Sequence, residues 1–271
     1  ELAARVKVAT YVADQADLEG FAVIADSIAE RHPDVDLIVA NAGIDLPQKL
    51  TAPDWRLAKK HFDVNAISNY VLFSALVPRF VARGSGHVAA IVSLGGLLGC
   101  PYAHAYNASK AALRMMMDGM RAETLGTGVT WTSVFPGFLE GRMAAGNAWK
   151  QPYRVPMDVA AEKIVAGVLS RRPVVKFPLL AAWQVRLADL LPVRFRDRMV
   201  AGAMKAGDEL EHRFPPERVE PGGGFVEQHQ LRVADECLRQ LGALPHPGGE
   251  PADLPEPGLV EPDQVEHVGG P

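Results

Sequence analysis

Two kinds of segment, which differ in the spacing of their hydrophobic residues, alternate along the first 178 residues. Short apolar runs, typical of strands buried on both faces, separate longer segments whose apolar residues recur every three to four positions, as in helices. The pattern predicts strands at 5–12, 37–40, 86–93, 128–137 and 173–178, and helices at 16–30, 53–82, 103–125 and 156–169. This alternation indicates an α/β fold in which a parallel sheet carries helices on both faces.

Polar residues and glycines lie where the predicted strands end. They are Asp14 after the first strand, Asn41 and Gly43 after the second, Ser93 at the end of the third, and Pro136 and Gly137 after the fourth. Ligands of open parallel sheets bind beyond the carboxyl ends of the strands. We therefore predict a cofactor cleft along this edge.

The pattern changes after residue 178. Apolar residues recur at helical spacing and arginines follow them: Leu180, Trp183, Leu187, Leu190 and Leu191, then Arg194, Arg196 and Arg198. We interpret 179–214 as an amphipathic helical extension that packs on the domain or covers a substrate pocket, in preference to a helix on a membrane surface. Residues 215–271 are predicted to form a linker, a short helix at 225–241 and a disordered acidic tail rich in Pro and Gly.

Composition narrows the function classes. The formal net charge is -4 and there is no sustained block of Lys and Arg, so we expect no nucleic-acid partner. Cys100 and Cys237 show no metal-type spacing, so no metal site is predicted, and the absence of a leader pattern favours the cytoplasm. Asn, Pro and Arg side chains interrupt the apolar stretch at 64–82, which indicates a buried helix and not a spanning one.

The stretch "YNASK" (106–110) is the strongest candidate for chemistry. Tyr106 and Lys110 are four positions apart and share one helix face. A nearby ammonium stabilises a phenolate and lowers the tyrosine pKa from near 10. Ser93 ends a predicted strand thirteen positions earlier, so its hydroxyl and the phenol can converge on one carbonyl oxygen and polarise it for hydride addition. Asn65 lies in an apolar helix, where its amide needs a hydrogen-bond partner.

These residues together resemble the short-chain dehydrogenase/reductase family. The matching motifs are "NAG" (41–43), the asparagine of "VNAISN" (Asn65), the serine of "IVSLGG" (Ser93), "YNASK" and "PG" (136–137), in the family's order over roughly residues 5–178. The resemblance implies a Rossmann-type, doubly wound parallel sheet over 1–178. It also implies NAD- or NADP-dependent hydride transfer between the nicotinamide and a small alcohol or ketone. The apolar segment 177–191 suggests a lipophilic substrate, and the family resemblance implies a homo-dimer or tetramer.

The resemblance also assigns roles to the matching positions. Tyr106 is the general acid/base, and Lys110 lowers the pKa of Tyr106 and hydrogen-bonds the nicotinamide ribose. Ser93 holds the substrate oxygen, and Asn65 anchors a water that links Lys110 to solvent. The implied cofactor contacts are Asp14 at the adenine, Asn41, Ala42 and Gly43 on the adenosine side, and Pro136, Gly137 and Leu139 beside the nicotinamide.

The sequence departs from the family pattern in two places. No glycine-rich TGxxxGxG turn is found, so we expect a sheet that lacks the family's first strands. The chain is then either a piece of a working enzyme or a shortened product with impaired cofactor binding, and we expect it alone to bind NAD(P) or fold poorly. Gly141 also stands where the family has the Thr or Ser that contacts the nicotinamide amide. The residue that would distinguish NAD from NADP falls in the missing region.

Two other function classes remain open on these grounds. A chain that holds no cofactor can still act as an interaction or oligomerisation module through the helices at 53–82 and 103–125. An epimerase or dehydratase of the family's extended branch shares the Tyr-x-x-x-Lys spacing. The short distal region and the Ala-Ser pair between Tyr106 and Lys110 argue against that branch.

Overall fold

Four strands form one parallel sheet in the computed structural model, which describes residues 8–140 and 153–205, with side chains to 202. The strands are β1 (Leu37–Ala40), β2 (Gly86–Ile91), β3 (Val129–Pro136) and β4 (Val174–Phe177), in that spatial order. Ala40 lies opposite Ala90, and Pro136 lies opposite Phe177. All four carboxyl ends therefore lie along one edge, as the alternating pattern predicts.

Helices connect and cover the strands. They are α1 (Leu18–Arg31), α2 (Trp55–Phe62), α3 (Ser68–Arg83), α4 (His104–Glu123), α5 (Met157–Leu169), α6 (Leu179–Leu190) and α7 (Val193–Lys205). A π-helical turn, Asp63–Ile67, joins α2 to α3, and a short 3-10 helix, Leu94–Leu97, follows β2. The four predicted helices before residue 178 are confirmed, with ends shifted by one or two residues.

The core lies on both faces of the sheet. On one face α1, α3 and α4 pack against the strands through residues that include Ala29, Phe73 and Leu113. On the other face α5 packs through Ile164 and its neighbours against Val134. This three-layer arrangement is Rossmann-like, and it leaves the carboxyl edge of the strands open to a ligand.

The predicted strand at 5–12 is wrong for the residues that are described. Residues 8–12 are irregular, and Val8 and Val12 are 55% and 70% exposed. A β-prone segment becomes a strand only where a neighbour completes its ladder, and none of the four described strands pairs with it. Residues 5–7 lie outside the described part of the chain.

The continuous helical stretch Trp55–Arg83, 29 residues, is long and apolar enough to cross a membrane by length and composition. Its apolar side nevertheless packs inside the protein, because Phe73, Leu76 and Phe80 are each at most 4% exposed in the core. The interpretation of 64–82 as a buried helix agrees with this packing.

The extension after residue 178 begins with two helices, α6 and α7, and α6 packs on the domain through small side chains. Trp183 and Leu187 are 61% and 57% exposed, whereas Ala182 and Ala188 are buried. Helix α6 thus contacts the domain through its small side chains, which let that side of the helix approach the core, while its large apolar residues face solvent. Predictions for 206–214 and for 215–271 fall outside the described residues.

Candidate active site

Asn65 ties the loop after β1 to helix α4. It is fully buried in the π-helical turn, a feature often found at functional sites. Its Oδ1 accepts from the Ile44 backbone N–H at 2.7 Å, and its Nδ2 donates to the Ile44 carbonyl and to Ser109 Oγ, both at 2.9 Å. The predicted need for a buried partner is therefore met. Because both amide hydrogens are engaged, the observed role is to fix the loop, and the role of anchoring a water stays a prediction.

Ser93 and Tyr106 converge as the motif predicts. Ser93 caps the 3-10 helix after β2, where its Oγ accepts from the Gly95 backbone N–H at 3.0 Å, and its hydroxyl hydrogen-bonds the Tyr106 phenol. A Cβ at Gly95 would lie 3.3 Å from Ser93 Oγ and 3.4 Å from Tyr106 Cε1. The absence of a side chain at Gly95 therefore leaves room for the two hydroxyl groups to meet.

Lys110 is buried beside the ends of β1 and β2. It is 4% exposed, and its Nζ donates to the Ile91 carbonyl at 2.9 Å. A Cβ at Gly43 would lie 3.0 Å from that Nζ, so the "NAG" segment and the ammonium are in close contact. Burial lowers the pKa of Lys110 to about 8, and the negative charge of Asp45 partly offsets this effect.

The predicted effect of Lys110 on Tyr106 is wrong for this arrangement. Burial, and then the charge of Asp45, raise the pKa of Tyr106 to about 12, while the hydrogen bond from Ser93 acts in the opposite direction. The ammonium of Lys110 instead donates to the Ile91 carbonyl. Tyr106 is therefore a neutral phenol at neutral pH, able to donate a proton to a substrate.

Asp45 is the site residue that the sequence analysis missed. Burial raises the pKa of its carboxyl to about 6, although Lys110 lowers it in part, and its Oδ1 is buried without a hydrogen-bond partner among the described residues. The adjacent backbone is fixed on both sides, by Asn65 at Ile44 and by a 2.9 Å hydrogen bond from the Leu46 N–H to His61 Nε2. Its position two residues after the "NAG" glycine is the one signal that pointed to it.

The predicted cofactor contacts lie along the carboxyl edge of the sheet. Asn41, Ala42 and Gly43 are half-buried directly after β1. Gly137 donates its N–H to the Phe177 carbonyl at 2.8 Å, and Leu139 pairs with Val155 in an isolated bridge. Pro136 is the last residue of β3. Their contacts with a cofactor stay predictions, and Gly141 lies outside the described residues.

Asp14 lies in the turn before α1. Its carboxylate accepts from the Ala16 N–H at 2.8 Å and is exposed. The neighbouring Gln15 Oε1 accepts from the Ser68 hydroxyl at 3.2 Å, which places this turn beside the start of α3. The carboxylate therefore stabilises a turn, and its predicted contact with an adenine stays a prediction.

Comparison with known proteins identifies a family and several similar oxidoreductases. The family model described as short chain dehydrogenase matches residues 1–151. An uncharacterized oxidoreductase of Myxococcus xanthus is 33% identical over 158 residues, which are 58% of this chain and 62% of that protein. Human epidermal retinol dehydrogenase 2 is 31% identical over 199 residues, 71% of this chain and 64% of that protein. The chain thus spans less than two thirds of the length of these relatives.

A solved structure shows the same fold. The short chain dehydrogenase of Burkholderia cenocepacia J2315, in complex with NADP, aligns with a TM-score of 0.58 at 24% identity, covering 69% of this chain and 75% of that one. At this identity the likeness establishes the Rossmann-type architecture alone. The clustered side chains of Asn65, Ser93, Tyr106 and Lys110 therefore carry the functional argument.

Proposed function

Because the chain belongs to the short-chain dehydrogenase/reductase family, we propose that it carries the catalytic half of an NAD(P)-dependent oxidoreductase acting on an alcohol or ketone. The observation that carries this proposal is the meeting of the Ser93 hydroxyl with the Tyr106 phenol, one helical turn from the buried Lys110. The solved relative from Burkholderia holds NADP, which supports a nicotinamide dinucleotide here without choosing between NAD and NADP.

The residues suit proton transfer to a carbonyl oxygen. Tyr106 donates its phenolic proton, and the Ser93 hydroxyl orients and polarises the same oxygen. A bound NAD(P)H would supply the hydride, with Lys110 at its ribose and the segments after β1 and β3 along its length. The small residues Ala42 and Gly43 would let the cofactor approach the backbone closely. A side chain at Gly43 would also contact the Lys110 ammonium.

We propose a lipophilic alcohol or ketone as the substrate class. Support comes from the relative named epidermal retinol dehydrogenase 2. A cytoplasmic location and a homo-dimer or tetramer are proposed with it, the latter through the helices α2, α3 and α4.

The Tyr106→Phe substitution tests the assignment in the whole protein. It removes the proton donor but keeps the ring, so turnover should fall by about 10²- to 10⁴-fold, while NADPH affinity, measured by fluorescence titration, stays unchanged. Tyr70→Phe, on an exposed tyrosine of α3, is the matched control and should leave turnover intact. Equal turnover of the Tyr106→Phe and parent proteins would remove Tyr106 from the mechanism.

A further inference from the structure

Helix α6 presents large apolar side chains to solvent along one side. At 3.6 residues per turn, five of them fall within an arc of about 100°: Leu179, Leu180, Trp183, Leu187 and Leu190, which are between 55% and 76% exposed. These five residues are the apolar stripe. The buried residues Ala182 and Ala188 lie outside this arc and face the domain.

Helix α7 extends this surface and adds positive charge. Phe195 and Met199, one turn apart, are 64% and 47% exposed. Arg194 and Arg198, also one turn apart, are exposed next to them. Arg196, by contrast, is paired with Asp189 and Asp197 at 3.6 and 3.7 Å.

Exposed Arg186 stands one residue before Leu187 of the apolar stripe. Three exposed arginines thus border the apolar side chains, in a chain whose formal net charge is -4. Basic residues outnumber acidic ones in the two helices that carry these apolar side chains.

The combination of side chains decides which partner fits. Single exposed apolar residues are ordinary on protein surfaces, but a contiguous run bordered by polar groups marks an interaction site. Leu, Trp and Phe beside arginines suit the boundary between acyl chains and headgroups, where the rings and aliphatic chains enter the apolar layer and guanidinium groups pair with lipid phosphates. Two copies that met through this surface would bring their exposed arginines together, so the arginines favour an anionic lipid surface over a second copy of the chain.

We propose that α6 and α7 bind the surface of an anionic lipid bilayer, with the apolar stripe at the acyl boundary and Arg186, Arg194 and Arg198 among the headgroups. Phe195 and Met199 deepen the same contact. The proposal does not depend on the proposed catalytic function, because both the surface and its test are independent of turnover.

Flotation of the full chain with vesicles tests this surface. We expect it to float with phosphatidylcholine vesicles that contain about 30% phosphatidylserine, to float less with phosphatidylcholine alone, and to be released by salt. A triple variant, Leu180→Gln, Trp183→Gln and Leu187→Gln, should weaken binding at least about tenfold, since each buried CH₂ contributes to partitioning. Arg194→Gln should weaken it about fivefold, as expected for one basic residue near the surface.

Two control variants, a third variant at Trp183 and two spectroscopic measurements complete the test. Val23→Gln and Leu169→Gln replace apolar residues that are 66% and 46% exposed on α1 and α5, and they should leave vesicle binding unchanged. Circular dichroism verifies that every variant is folded. The blue shift of tryptophan emission on adding vesicles should disappear with Trp183→Phe.

Three results would overturn the proposal. One is failure of the parent chain to float with anionic vesicles. Another is equal binding by the parent chain and the triple variant. The third is the finding, by light scattering, that the parent chain is an oligomer and the triple variant is not, which would make the stripe an interface between copies.

Discussion

At the scale of single residues, the candidate site holds a carboxylate, Asp45, whose Oδ1 has no hydrogen-bond partner among the described residues. The charge of Asp45 raises the pKa of Tyr106 and offsets part of the burial effect on Lys110. Its backbone neighbours Ile44 and Leu46 are held by Asn65 and His61, which fixes the backbone that carries the carboxylate. Buried charged groups without partners are costly and are enriched at functional sites.

The Asp45→Asn substitution should stabilise the protein at neutral pH. Because the folded state raises the pKa of this carboxyl from 3.8 to about 6, it binds the proton more tightly than the unfolded chain between these values. Stability therefore falls as pH rises through that window, and the loss is complete above it. At about 1.4 kcal/mol per pKa unit, the amide should add up to about 3 kcal/mol to the unfolding free energy at pH 7.5 and almost nothing near pH 4.

Urea unfolding at several pH values measures this difference. The control is Asp34→Asn, which changes an exposed carboxylate. It should leave the unfolding free energy unchanged both at pH 7.5 and near pH 4. A variant at Asp45 that is no more stable than the parent at pH 7.5 would contradict the expected cost of the buried charge.

At the scale of elements, the backbone at the end of α3 lies very close to the backbone just before β3. Gly84 ends α3 at φ +73°, and Gly128 precedes β3 at φ +85°. A Cβ at Gly128 would lie 1.9 Å from the Gly84 carbonyl oxygen. No rotamer change relieves a contact with backbone, so this position demands glycine for two separate reasons.

Gly128→Ala and Gly126→Ala form a matched pair. Both residues have positive φ, but a Cβ at Gly126 meets nothing within 4 Å. We expect Gly126→Ala to cost about 1 kcal/mol of unfolding free energy from the left-handed backbone alone, and Gly128→Ala at least about 3 kcal/mol, since α3 or β3 must also shift. Equal losses in urea unfolding would show that the close approach has no energetic consequence.

At the scale of the whole molecule, one buried tryptophan joins three elements. Trp131 of β3 is 2% exposed, and its ring meets that of Phe73 on α3 edge-on, with centroids 5.8 Å apart. Its Nε1 donates to Thr124 Oγ1, directly after α4, at 2.8 Å. The strand and two of the three helices that cover this face of the sheet are thus connected through a single side chain.

Trp131→Leu should lower the unfolding free energy of the whole chain by about 3 to 5 kcal/mol, because it leaves a cavity and removes the hydrogen bond that Trp131 donates to Thr124. Trp55→Leu, at a tryptophan that is 66% exposed, should change it by less than about 0.5 kcal/mol. Chemical unfolding followed by circular dichroism compares the two. A loss at Trp131 as small as that at Trp55 would contradict its place in the core.

The sequence alone determined most of the elements and the members of the candidate site. The period of hydrophobic positions is a local property, so the strand at 37–40 and the helices at 103–125 and 156–169 were recognisable. The meeting of Ser93 with Tyr106 was predictable because one ends a strand and the other lies near the start of the next helix, with Lys110 one turn further on. Tertiary structure decided what depends on distant partners. Residues 8–12 pair with no described strand, Lys110 donates to a carbonyl and leaves the pKa of Tyr106 high, and Asp45 enters the site from another loop. The side of α6 that faces solvent was likewise decided by packing, since helical spacing shows which residues share a side but not which side the core accepts.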